Sequence, residues 1–74
     1  MRFEKQLEEI LGNKLSTFRK EDKLVDIGVD SVRLVQIAGL VEEHVDEEIT
    51  HEKMLQMDIN YLRRVVSKID STEL

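Results

Sequence analysis

The sequence lacks cysteine altogether, which excludes a disulfide framework and a thiolate metal site and leaves packing as the source of stability. Proline is absent too, and aromatic residues make up only 4% of the chain while 36% is charged, a balance that suits a compact helical domain. No apolar run approaches the ~20 residues of a membrane span. The start, Met1-Arg2-Phe3-Glu4-Lys5, leads into an amphipathic segment instead of a signal-peptide core. A soluble cytoplasmic protein without membrane insertion is expected. The formal net charge of -5 repels nucleic acid and anionic membranes, so neither is expected as a partner. At 74 residues the chain has room for one small domain and no second, near the lower limit at which a core holds without staples.

What is present is helical periodicity. Phe3, Leu7, Ile10 and Leu11 recur at i, i+4, i+7 and i+8, a stripe that Gly12 or Asn13 should end. From Lys14 to Asp30 no period is sustained, but Leu15, Phe18, Leu24 and Ile27 are apolar anchors for a long connection pinned onto a bundle. A loop of that length in a compact domain points to a functional use. A second helix is expected from Ser31 to about Val45, with Leu34, Ile37, Ala38, Val41 and Val45 as its core arc. Val32 and Val35 fall with Ser31, Gly39, Glu42 and Asp46 on the side expected to face water. A short helix should open at Thr50 or His51 and run to about Gln56, with Met54 and Leu55 pointing inward. Asp58 then caps a last helix whose stripe is Ile59, Leu62, Val65, Val66 and Ile69. The expected fold is all-α, a small bundle of three longer helices plus one short helix with a long first loop.

Within this pattern one serine occupies a chemically distinctive place. Asp30 is a good N-cap and the apolar pattern starts directly after it, which puts Ser31 at the first helical position behind a loop that contains Gly28. Its hydroxyl then faces solvent at the positive end of a helix macrodipole, a favourable place for a phosphodiester.

The run Gly28-Val29-Asp30-Ser31-Val32, preceded by Leu24 and followed by Val35-Gln36-Ile37, resembles the attachment segment of the acyl and peptidyl carrier protein family. Glu48-Ile49-Thr50 with Met54-Leu55 is similar to that family's third-helix region, and Asp58-Ile59 with Leu62 to the start of its last helix, so the likeness covers nearly the whole chain. It implies a discrete, stand-alone carrier domain over residues 1–70, with 71–74 as a frayed tail, working as a monomer. It further implies a 4'-phosphopantetheine arm on Ser31, with Asp30 and Gly28 shaping the mount. Coenzyme A would donate the arm through a phosphopantetheinyl transferase that uses magnesium in its own site. Acyl- or aminoacyl-loading enzymes and downstream synthase enzymes are the other implied partners, meeting the chain at Val32, Arg33, Val35, Gln36, Gly39, Glu42, Glu43 and Asp46. Carriers of fatty acid synthesis often have acids where this chain has Arg33 and Gln36, and a larger apolar residue in place of Gly39. The segment Val32-Arg33-Leu34-Val35-Gln36 therefore reads more like a carrier of aminoacyl, aryl or specialised acyl units.

Catalysis by the chain itself is not expected. A nucleophilic serine needs a base and an oxyanion hole, and His44, thirteen residues along the same predicted helix, would lie about 20 Å from Ser31. His44, Glu47, Glu48 and His51 have helix-like spacings but no thiolates or preformed cage, so no physiological metal site is expected. The acidic run from Glu42 to Glu52 is either a solvated surface or a docking face for basic partners. Alternatively, the chain is an unmodified helical adaptor that binds a partner through acidic helix two.

Overall fold

The computed structural model describes residues 2–72. Four α-helices account for most of them, α1 (Arg2–Leu11), α2 (Ser31–His44), α3 (His51–Gln56) and α4 (Ile59–Thr72), with two 3₁₀ turns, Leu15–Thr17 and Leu24–Asp26, between α1 and α2. Among the described residues there is no strand. The all-α bundle with one short helix is therefore the observed architecture.

Each helix begins and ends where local chemistry directs it. α1 buries Phe3, Leu7 and Leu11 and stops at Gly12, whose φ of +80° is a left-handed conformation that L side chains adopt only with strain. α2 is capped by Asp30, whose carboxylate accepts the Arg33 N–H at 2.8 Å, and α4 by Asp58, which accepts the Tyr61 N–H at 2.8 Å. Thr50 caps α3 through the Lys53 N–H at 3.2 Å. α1 packs against both α2 and α4, while α3 lies on α2 and on the second 3₁₀ turn.

The long first connection is tied across the bundle. Leu15 and Leu24 are buried, Phe18 and Ile27 half-buried, as the spacing of apolar anchors suggests. Val29, which the sequence pattern did not single out, is buried as well. The Leu24 N–H donates to the Met57 carbonyl at 3.1 Å, the Ile59 N–H to Asp22 at 2.9 Å and the Asn60 N–H to Lys20 at 3.0 Å. Residues 20–24 are thus laced to the α3–α4 junction, with Lys23 and Asp58 forming an isolated antiparallel bridge.

Three details differ from expectation. Leu55 is exposed (45%) and Met54 only half-buried; α3 is held from its flanks by buried Ile49 and Met57 instead. Six residues make less than two turns, too few for a period to set which side faces the core. Val66 is half-buried on the edge of the α4 stripe. α4 continues to Thr72, since no glycine or proline interrupts it after Ile69, so Ser71 and Thr72 of the expected tail are helical. Met1, Glu73 and Leu74 lie outside the described residues.

Candidate functional site

The approach to Ser31 is built from backbone conformation and one buried anchor. The second 3₁₀ turn closes with the Ile27 N–H on the Leu24 carbonyl, and the Val29 N–H reaches the same oxygen, both at 3.3 Å. Between them Gly28 takes φ +89°. A Cβ at Gly28 would meet no atom within 4 Å, so the backbone angle and not crowding demands glycine there. Val29 is buried beside the core, Asp30 swings out in extended conformation (φ -76°, ψ 174°), and Ser31 opens α2 with its side chain exposed.

At this terminus the Arg33 N–H is satisfied by the Asp30 carboxylate and the Leu34 N–H by the Asp30 carbonyl at 2.9 Å. The N–H groups of Ser31 and Val32 precede the intrahelical ladder and point outward with the positive end of the macrodipole. An anionic ester on the Ser31 oxygen fits this setting: the hydroxyl is exposed, outward N–H donors adjoin it, and the Asp30 carboxylate is turned back onto the backbone.

The residues expected to meet partners divide by position. Val32 (66% exposed) and Val35 (59%) face water beside Ser31. Arg33 and Gln36 are exposed and border a shallow cleft toward α1, floored by Ile10 and Leu40. Gly39 is half-buried, not fully in solvent, because flanking turns of α2 shade a residue with no side chain of its own. Glu42, Glu43 and Asp46 are exposed. Glu42 has a structural partner that the sequence pattern did not signal: its carboxylate accepts the Ile49 N–H at 2.8 Å and braces the α2–α3 connection.

The histidines are placed away from Ser31. His44 ends α2, with Nδ1 3.0 Å from the Leu40 carbonyl oxygen and its ring edge-on to Phe3 at 4.9 Å between centroids. Thirteen residues at helical rise separate it from Ser31 by about 20 Å. His51 is exposed in the first turn of α3. Among the described residues no group of three or more His, Cys, Asp or Glu side chains could hold a metal ion, and no helix is long and apolar enough to cross a membrane.

The family model described as the phosphopantetheine attachment site matches residues 2–69. The chain belongs to that family. The match spans all four helices, in keeping with the likeness seen along the sequence. No curated protein and no solved structure matches the chain. The prosthetic group of the family is 4'-phosphopantetheine, attached to a serine, and its members act as carrier domains that serve as substrates for phosphopantetheinyl transferases and biosynthetic enzymes.

Proposed function

We propose that Ser31 is the attachment serine and that the protein carries acyl or aminoacyl intermediates as thioesters between enzymes of a specialised polyketide, nonribosomal peptide or fatty-acid-type pathway. The observation that carries the assignment is position. Ser16 sits in a 3₁₀ turn, Ser67 inside α4 and Ser71 in the last turn of α4; Ser31 alone among the serines opens an α-helix behind a capping aspartate. In the loading reaction the Ser31 hydroxyl gives up its proton to the transferase as Oγ attacks the phosphorus that bears pantetheine; the pyrophosphate bond of coenzyme A breaks, 4'-phosphopantetheine stays on Oγ and adenosine 3',5'-bisphosphate leaves.

The arm, when bound, supplies a terminal thiol that holds cargo as a thioester, which explains how a chain without cysteine can do sulfur chemistry. The protein's own residues supply placement. Val29 and Leu24 anchor the approach, Gly28 turns it, Asp30 fixes the helix start, and the outward N–H groups of Ser31 and Val32 favour the phosphodiester charge. Exposed Val32, Arg33, Val35 and Gln36 then form the surface that partner enzymes read, with Glu43 and Asp46 at its far end. The cytoplasm, where coenzyme A is available, is the proposed location.

Intact-mass measurement tests the assignment. Incubation with coenzyme A, magnesium and a broad-range transferase should add roughly 340 Da, the mass of the arm, to the wild type and nothing to Ser31→Ala. A gain on Ser31→Ala would move the site to another serine. A wild type that several transferases leave unmodified, yet that still binds a partner through α2, would make the protein a helical adaptor.

A further inference from the structure

The connection between α2 and α3, α3 itself and the start of α4 border a cleft of about 320 Å³, a volume within the range of small-molecule sites. No residue of α2 lines it, so it opens outside the bundle and is separate from the Ser31 site. Buried Ile49 and Met57 supply its apolar lining. Lys53 of α3 and Arg64 of α4 stand exposed on its walls, with half-buried Tyr61 and, from the connection, Glu47. The backbone N–H of Lys53 serves the α3 cap, but its ammonium and the Arg64 guanidinium stay on the surface.

The lining has a definite electrostatic character. Asp58 borders the cleft too, but its carboxylate is engaged at the N-terminus of α4, where it accepts the Tyr61 N–H at 2.8 Å and faces the positive end of the helix dipole. That leaves Lys53 and Arg64 against Glu47 alone, a balance that favours one negative charge and repels two. The Tyr61 phenol is pushed above 10.0 by burial and then by Glu47, so near neutral pH it keeps its proton and offers a donor. We propose that this cleft binds a small organic monocarboxylate, its carboxylate held by Arg64 and Lys53 and its apolar body laid on Ile49, Met57 and the Tyr61 ring. The site reaches the approach to Ser31 through the backbone. Met57, Asp58 and Asn60 all line the cleft. The Met57 carbonyl accepts the Leu24 N–H, the Asn60 N–H donates to the Lys20 carbonyl, and Asp58 bridges to Lys23. An occupant held between α3 and α4 is lost when that junction opens, so its binding steadies residues 20–24 by mass action.

The test is a titration of the isotope-labelled, unmodified full chain with sodium benzoate, followed by NMR at constant ionic strength, with benzamide as the uncharged isostere. Benzoate should shift the Lys53, Tyr61 and Arg64 amide signals with a Kd of roughly 1 mM. Benzamide should bind about tenfold more weakly. Arg64→Ala should raise the Kd for benzoate about tenfold, whereas Arg63→Ala, adjacent on α4 and outside the cleft, should leave it unchanged. Both arginines are exposed, so neither variant should lose Tm. At about 20 mM benzoate, hydrogen exchange at the Leu24 and Asn60 N–H should slow by up to about twentyfold. No saturable shift up to about 50 mM benzoate, equal affinity for benzamide, or an Arg64→Ala Kd equal to that of the wild type would overturn the carboxylate site. Benzoate binding that leaves exchange at Leu24 and Asn60 unchanged would overturn the coupling to the approach of Ser31. Because the unmodified chain is titrated, the outcome is independent of whether Ser31 accepts an arm.

Discussion

The two connections that flank α2 solve the same problem in opposite ways. The first, from Gly12 to Asp30, is long and without a sustained period, yet it buries Leu15, Leu24 and Val29 and exchanges backbone hydrogen bonds with residues 57, 59 and 60. The second, from Val45 to Thr50, is short and acidic; buried Val45 and Ile49 anchor it, and the Glu42 carboxylate on the Ile49 N–H braces it. Length is therefore a poor guide to looseness here. What positions a loop is the number of its groups that are desolvated against something else. The tightly laced connection is the one that ends at Ser31, so the hydroxyl proposed to carry the arm is placed by an irregular segment anchored through buried side chains and backbone hydrogen bonds.

The contrast can be broken at its strongest point by Leu24→Ala. Leu24 is fully buried and also donates its N–H to Met57; losing its side chain should cost about 3 kcal/mol in urea unfolding, a large share of the stability of so small a domain. If the variant loses less than about 1 kcal/mol, the first connection is not the anchor described. Gly28→Ala comes next, since φ +89° is unfavourable for any L side chain; a loss of about 1–2 kcal/mol and slower arm transfer at Ser31 are expected. The stability loss should be absent from Gly39→Ala, where the backbone is helical.

Glu42 tests the other side of the comparison. Glu42→Ala should cost about 1 kcal/mol by leaving the Ile49 N–H without its acceptor, and Glu42→Gln, whose amide oxygen can still accept, should recover most of it. Equal losses in the two variants would mean that charge, and not the hydrogen bond, braces the connection. The smallest effect belongs to Tyr61, whose phenol is pushed above its usual 10.0 by burial and then by the Glu47 carboxylate of the second connection. A raised folded-state value means that the unfolded chain releases the proton first, so stability holds below pH 10.0 and falls as pH rises toward the folded-state value. Tyr61→Phe should flatten that decline in Tm, and Glu47→Gln should reduce it partially.

Legibility along the chain followed the range of the interactions. The α2 core arc of Leu34, Ile37, Ala38, Val41 and Val45 is buried as its period indicates, and Asp30, Thr50 and Asp58 cap the helices that follow them. Leu55 was misplaced because six residues do not define a face, while Val29 and Met57 went unnoticed because single apolar residues between elements carry no period. Glu42 looked like one acid among many; its bond to Ile49 spans seven residues and a change of chain direction. At the site, the exposed serine behind Gly28 and Asp30 was legible from one short run, whereas the half-buried state of Gly39 was not.

The sequence by itself determined where α2 starts and that Ser31 stands exposed at that start, because a cap, a positive-φ glycine and a helical stripe are settled by neighbours only a few residues apart. It also determined the family, through a likeness that runs the length of the bundle. Only the tertiary structure decided how the approach to Ser31 is held. Its bonds join the backbone of residues 20–24 to that of residues 57–60, and main-chain N–H and carbonyl groups are the same in every residue, so the partners are chosen by the packing that brings the two segments together.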